Sequence, residues 1–215
     1  AAGSPKICTE AAFASLRPTS LTEHLAKEIA QRPGEPFRGM VATFTGYRDK
    51  PSVTWFDLIA HDAKLAAISG NDHRTIGLWK YRIPTLIQYN TYISPQYYVL
   101  FTRLLDRPRD RQLRSIVFAT RPNEPILALW GVRYLITDFA PLFGTLRFEM
   151  PVTGQEPLRL VELRNANVGN YSPTEIVEAK NFRGALTIMS DTNFDGQRTV
   201  VTMSPLVGPL VRASD

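Results

Sequence analysis

Residues Ile126–Asp138 read ILALWGVRYLITD, and this stretch decides the fold. Its first part, taken from Asn123 through Trp130, predicts a short helix with Gly131 in place to end it. Its second part, Val132–Thr137, is β-branched and aromatic and predicts a strand. Working back from it, the same alternation recurs. Ser20 stands three residues before Glu23, a capping-box spacing, and Leu21, Leu25 and Ile29 follow at intervals of four, predicting a helix that Arg32-Pro33-Gly34 stops. Phe37–Phe44, with Gly39 inside and Gly46 closing it, predicts a short strand. A second helix is predicted over Ser52–Ile68, with Val53, Phe56, Ala63 and Ala67 inward and Gly70 beyond its end. Ser94-Pro95 sets an N-cap with proline at the first helical position, predicting a helix over Gln96–Leu105. Leu113–Ala119 predicts a further strand.

Downstream of Asp138 the helical period is lost. Thr145–Met150, Leu158–Leu163, Glu175–Ala179, Ala185–Met189 and Thr199–Met203 are strand candidates separated by Gly, Pro and Asn. The expected class is α/β: an N-terminal mixed α/β layer arrangement over 1–140, followed by a smaller β-rich part over 141–215. The two parts are open to packing as one unit, and the second to being incomplete.

Composition fits a folded chain. Of 215 residues 44% are hydrophobic and 21% charged, which excludes wholesale disorder. The net charge of +5 is mild for a nucleic-acid binder, and no nucleic-acid-reading motif accompanies it. Six arginines (103, 107, 109, 111, 114 and 121) face two aspartates between Arg103 and Arg121, so most of the excess lies there. Arg107, Arg109, Arg111 and Arg114 are the candidates for an anionic surface, a lipid headgroup or a polyanionic glycan, against the alternative of a solvated run with internal ion pairs. The single cysteine, Cys8, rules out an internal disulfide or a multi-cysteine zinc site. No apolar run reaches the ~18–20 residues of a membrane-spanning helix. Starting at Ala1 without a signal-peptide pattern, the chain reads as the soluble part of something larger.

The polar residues offer few catalytic patterns. Asp191-x-Asn193-x-Asp195-Gly196 opens like a calcium loop, with oxygen donors at alternate positions and glycine sixth. The twelfth position is Thr202 rather than a bidentate glutamate, and Arg198 adds a positive charge. A hairpin turn between two strands is the simpler expectation. His61-Asp62 lacks convergent ligands, and His24 falls on the polar face of its helix. His73, in the irregular Asn71-Asp72-His73-Arg74, is the better site candidate. Trp79, Tyr81, Gln88, Tyr89 and Asn90 join it as glycan-binding candidates, because a sugar groove needs aromatic faces with amide neighbours; such clusters also build cores. Asn165, Asn167 and Asn170 form a second polar cluster, and Asn170-Tyr171-Ser172 is a glycosylation sequon. No nucleophile elbow, phosphate loop or zinc helix is present, and no cofactor is expected.

The Ile126–Asp138 segment resembles the short helix and Gly/Asn-Val-Arg/Lys-Tyr strand of the YfhO family of bacterial multipass membrane proteins. Phe37-Arg38-Gly39 resembles that family's opening strand. LRLVELRNANVGNYSPTEIVEA at Leu158–Ala179 resembles its strand, Asn-rich turn and strand, and Phe194-Asp195-Gly196 with Val200-Val201 its later hairpin. The resemblance spans about residues 36–203 and rests on structural motifs. It implies similarity to C-type-fold glycosyltransferases, which use polyprenyl-phosphate-linked sugars at the outer membrane face. The chain would then be a non-catalytic extracytoplasmic domain, periplasmic or on the outer face of the bacterial inner membrane. Its partners would be the membrane-embedded portion of its own protein and a glycan or anionic lipid. Two departures stand out: no membrane helix is present, and no residue matches the family's catalytic acid. Leu206–Leu210 also ends the chain where the family continues with strands. Two other readings remain: a free-standing hydrolase or metal-dependent enzyme built on His73 and Asp72, and a structural docking module.

Overall fold

The computed structural model describes residues 18–30, 39–44, 78, 83–86, 94–105, 111–113, 116–118, 123–154 and 156–205. The elements in chain order are α1 (Ser20–Ala30), β1 (Met40–Phe44), α2 (Pro95–Leu104), β2 (Arg111–Leu113), β3 (Ile116–Phe118), α3 (Glu124–Leu129), β4 (Val132–Thr137), β5 (Thr145–Met150), β6 (Leu158–Glu162), β7 (Glu175–Glu178), α4 (Phe182–Met189) and β8 (Thr199–Thr202). The class is α/β, as the sequence predicts.

The main sheet has the order β1-β4-β6-β5. β1 runs parallel to β4, while β4/β6 and β6/β5 are antiparallel. Strands from either side of residue 140 therefore share one hydrogen-bonded layer. β4 is buried along its whole length, which is why its sequence does not alternate apolar and polar residues; Arg133 and Thr137 are buried with the rest. Tyr134 and Ile136 join Leu21 and Leu25 of α1, Val41, Leu158 and Leu160 in one core. Leu135 joins Ala42, Phe44, Leu104, Ile126, Leu127 and Val161 in the other, where Leu186 and Met189 also pack. The sheet is thus covered by α1 on one face and by α2 and α3 on the other.

Gly39 precedes β1 at φ +82, where a side chain is strained, and a Cβ there would lie 2.6 Å from the Arg133 Cβ. The close fit brings β1 against β4. Arg133 in turn donates through Nε to Glu162 at 3.0 Å, and Glu162 also receives the Arg147 guanidinium. That carboxylate raises the pKa of Arg147 further, by hydrogen bonding first and charge second.

Four expectations need correcting. The reciprocal cap of α1 is made by Thr19 and Thr22 rather than Ser20 and Glu23: each backbone N–H donates to the other's hydroxyl, at 2.8 and 3.3 Å. The apolar stretch at 113–119 contributes to an antiparallel pair, β2 with β3, in place of one strand. Its polar pair Arg114-Ser115 divides the run. Ala185–Met189 is helical, being part of α4. Phe182, Ala185, Leu186 and Met189 stand at helical spacing, and Asn181 caps the first turn by accepting from the Gly184 N–H at 2.9 Å. Lastly, the hairpin turn expected at Asp191–Gly196 is not formed, because the segment before it is α4 and β8 pairs in parallel with β7. The predicted helix over Ser52–Ile68 lies outside the described residues.

Candidate functional site

Three helices converge beside the Asp191–Gly196 segment, at a place where the sequence marked only that loop. α2 begins at Ser94, whose hydroxyl accepts from the Tyr97 N–H at 3.2 Å. Asn123 precedes α3 in extended conformation, but its side chain makes no cap bond there. It donates instead to the Leu104 carbonyl at 3.4 Å, tying the start of α3 to the end of α2. α4 packs beside α2. Between them lie two adjoining hollows that share Arg103, Ser190 and Asp191. The larger, about 590 Å³, is walled by Val99, Phe182, Arg183, Leu186 and Thr187. The smaller, about 400 Å³, reaches Asn123, Ile126, Leu129, Phe194 and Gly196.

The Asp191–Gly196 segment forms the floor between α4 and β8. Asp191 Oδ1 accepts from the Asn193 N–H at 2.8 Å, and Asp195 Oδ1 from the Gln197 N–H at 3.0 Å. These are Asx turns, the local bonding that such residues favour. Gly196 is there for a close approach: a Cβ would stand 2.9 Å from Leu129 Cδ1. Among the described residues no group of three or more His, Cys, Asp or Glu side chains could hold a metal ion.

The asparagine cluster does structural work. Asn167 donates from its backbone to Ala128 O at 2.8 Å and from Nδ2 to Leu129 O at 3.3 Å, satisfying carbonyls at the end of α3. Asn165 holds φ 54, a left-handed conformation asparagine tolerates, and its carbonyl accepts from the Tyr171 hydroxyl. Burial pushes the Tyr171 pKa up, against the opposing bond from Gln197. Asn170 is exposed, and its side chain accepts from the Val168 N–H at 3.1 Å. His24 stacks on Phe148 at 4.7 Å between ring centres and lies 3.5 Å from Glu28. Tyr97 donates to Leu86 O at 2.9 Å, and burial of that end of the ring raises its pKa.

His73, Trp79, Tyr81, Gln88, Tyr89 and Asn90 lie outside the described residues, as do Arg107, Arg109 and Arg114. The same holds for Cys8, His61, Asp62 and Asp72. Arg111 opens β2, with only its backbone described. Arg183 escaped sequence reasoning altogether. The usable signal was the helical spacing from Phe182 to Met189, which puts it on the first turn of a helix. Among the described residues, no helix is long and apolar enough to cross a membrane. Comparison with protein-family models, curated proteins and solved structures returns no match.

Proposed function

We propose that the chain is a non-catalytic, extracytoplasmic domain of a membrane glycosyltransferase-like bacterial protein, and that it holds a glycan or lipid-linked acceptor. The α2–α4 groove carries this reading. It combines an aromatic and aliphatic wall (Val99, Phe182, Leu186) with hydroxyls (Thr187, Ser190), a carboxylate (Asp191) and two guanidiniums (Arg103, Arg183). A concave, half-apolar surface with a few convergent polar groups is what a small-ligand site requires. The resemblance to the YfhO family supplies the class of the parent protein, and its helix–glycine–strand segment corresponds to α3, Gly131 and β4.

A glycan array probed with the isolated chain tests the holding role, and silence across neutral and acidic glycans would remove it. The membrane-facing role is tested by flotation with anionic liposomes. Wild type is expected to float, and the Arg107→Ala/Arg109→Ala/Arg111→Ala variant to stay behind. Equal recovery of the two would remove that role.

A further inference from the structure

We infer that the groove takes an acidic saccharide, its carboxylate or phosphate held between Arg103 on α2 and Arg183 on α4. The inference rests on the glycan-holding reading above and adds the ligand's charge and its position.

The described arginine side chains divide into two groups. Arg133, Arg147, Arg159, Arg164 and Arg198 each meet a glutamate within 4 Å. The Arg103 and Arg183 guanidiniums make no ion pair or hydrogen bond with any described residue, and both residues line the larger hollow. The protein's own carboxylates thus neutralise its guanidiniums everywhere among these residues except on the two walls of one groove. Two cations lining one concave surface raise its positive potential and draw anions in. The guanidinium fork matches carboxylate and phosphate geometry.

The remaining polar groups select the rest of the ligand. Ser190 donates its hydroxyl to Leu186 O at 2.6 Å and Thr187 donates to Arg183 O at 3.0 Å. Their protons are committed, so toward a ligand both oxygens act as acceptors. Asp191 is an acceptor too, with one oxygen engaged by Asn193. A ligand matching this wall must bring hydrogen-bond donors as well as a negative charge. A sugar hydroxyl array does so. A bare lipid phosphate brings no donors, and Asp191 repels it. Phe182 and Phe194 offer ring faces against which a pyranose can lie. With two guanidiniums and one carboxylate, the groove keeps a net positive charge for an anionic group on the sugar.

The test is calorimetric titration with digalacturonate and its neutral counterpart digalactose, and with glucose 6-phosphate and glucose. Wild type, Arg103→Gln and Arg183→Gln are compared after thermal melts confirm that they fold alike. Both arginines are exposed, so the fold is expected to survive. The acidic sugar is expected to bind at least about tenfold tighter than its neutral counterpart, and each Gln variant to lose about tenfold for the acidic sugar alone. The carboxylate and phosphate arms show which anion is preferred. Equal binding of acidic and neutral sugars, or acidic binding indifferent to both variants, overturns the inference and leaves the glycan-holding reading standing. No binding of any saccharide overturns both. Arg103-dependent binding of phosphatidylglycerol vesicles without saccharide binding would reassign the groove to lipid.

Discussion

Replacing Glu162 by alanine is expected to cost about 3 kcal/mol of stability, at the lower end of what removing one partner of a buried ion pair costs. The Arg133 and Glu162 side chains are 10% and 11% exposed, with Nε and Oε1 3.0 Å apart. At that separation the attraction is about 5 kcal/mol with an effective dielectric of ~20, offset by several kcal/mol of lost hydration per ion. Without the carboxylate, the desolvation of Arg133 remains while the ion pair that offset much of it is lost. Arg147 is different. Its side chain is 39% exposed, so water screens the contact, and Arg147→Ala should cost less than about 1 kcal/mol. The joint variant Arg133→Met/Glu162→Leu fills the site with apolar groups and should return to within about 1 kcal/mol of wild type. Urea unfolding measures all three as midpoint shifts at constant slope. Glu162→Ala costing under about 1 kcal/mol, or a joint variant no more stable than Glu162→Ala, would refute the reasoning.

The glycines separate by what their missing Cβ would meet. Gly39→Ala should cost about 2 kcal/mol or more, since φ is +82 and the obstacle is the Arg133 Cβ, fixed to the backbone. Gly196→Ala meets the movable end of Leu129 and should cost about 1 kcal/mol or less; thermal melts ranking the two the other way would contradict the packing argument. Asp195→Ala should cost less than about 1 kcal/mol, because the exposed Gln197 N–H turns to water, and by the same amount with or without calcium in the buffer. The Tyr97 pKa is raised in the folded state, so the folded chain holds that proton more tightly and stability should fall as pH climbs past about 10. Tyr97→Phe should flatten part of that fall in urea midpoints between pH 8 and 11, with Tyr171 contributing the same direction; parallel curves for the two proteins would exclude the Tyr97 part.

How legible each element was depends on what its residues reveal locally. β4 could be read from its own sequence, because its β-branched and aromatic residues stand together between Gly131 and Asp138. β5, β6, β7 and β8 announce themselves through short branched runs between turn residues. α4 did not, because the run Ala185–Met189, ALTIM, is strand-like when taken alone and becomes helical only with Asn181 and Phe182 included. The cap of α1 slipped by one residue because Thr19/Thr22 and Ser20/Glu23 overlap, and only the threonine pair bonds reciprocally. The groove was out of reach for a different reason. Arg103 looked like one member of a basic run and Arg183 like a lone surface charge. What distinguishes them among the described residues is the lack of a glutamate partner, which shows only against the pairing of the other described arginines in the folded chain.

The parallel register of β1 on β4 has a kinetic consequence. Met40 pairs with Val132, so the contact closes a loop of about ninety residues, while β4, β5 and β6 follow one another within about thirty residues of chain. Contacts of that span form late, after the local β4-β6-β5 pairing has formed. Until β1 arrives, one long edge of β4 is an open template whose N–H and C=O groups another chain could pair. The fit of Gly39 against Arg133 is then a closing step, and a residue that hinders it would prolong exposure of that edge during folding.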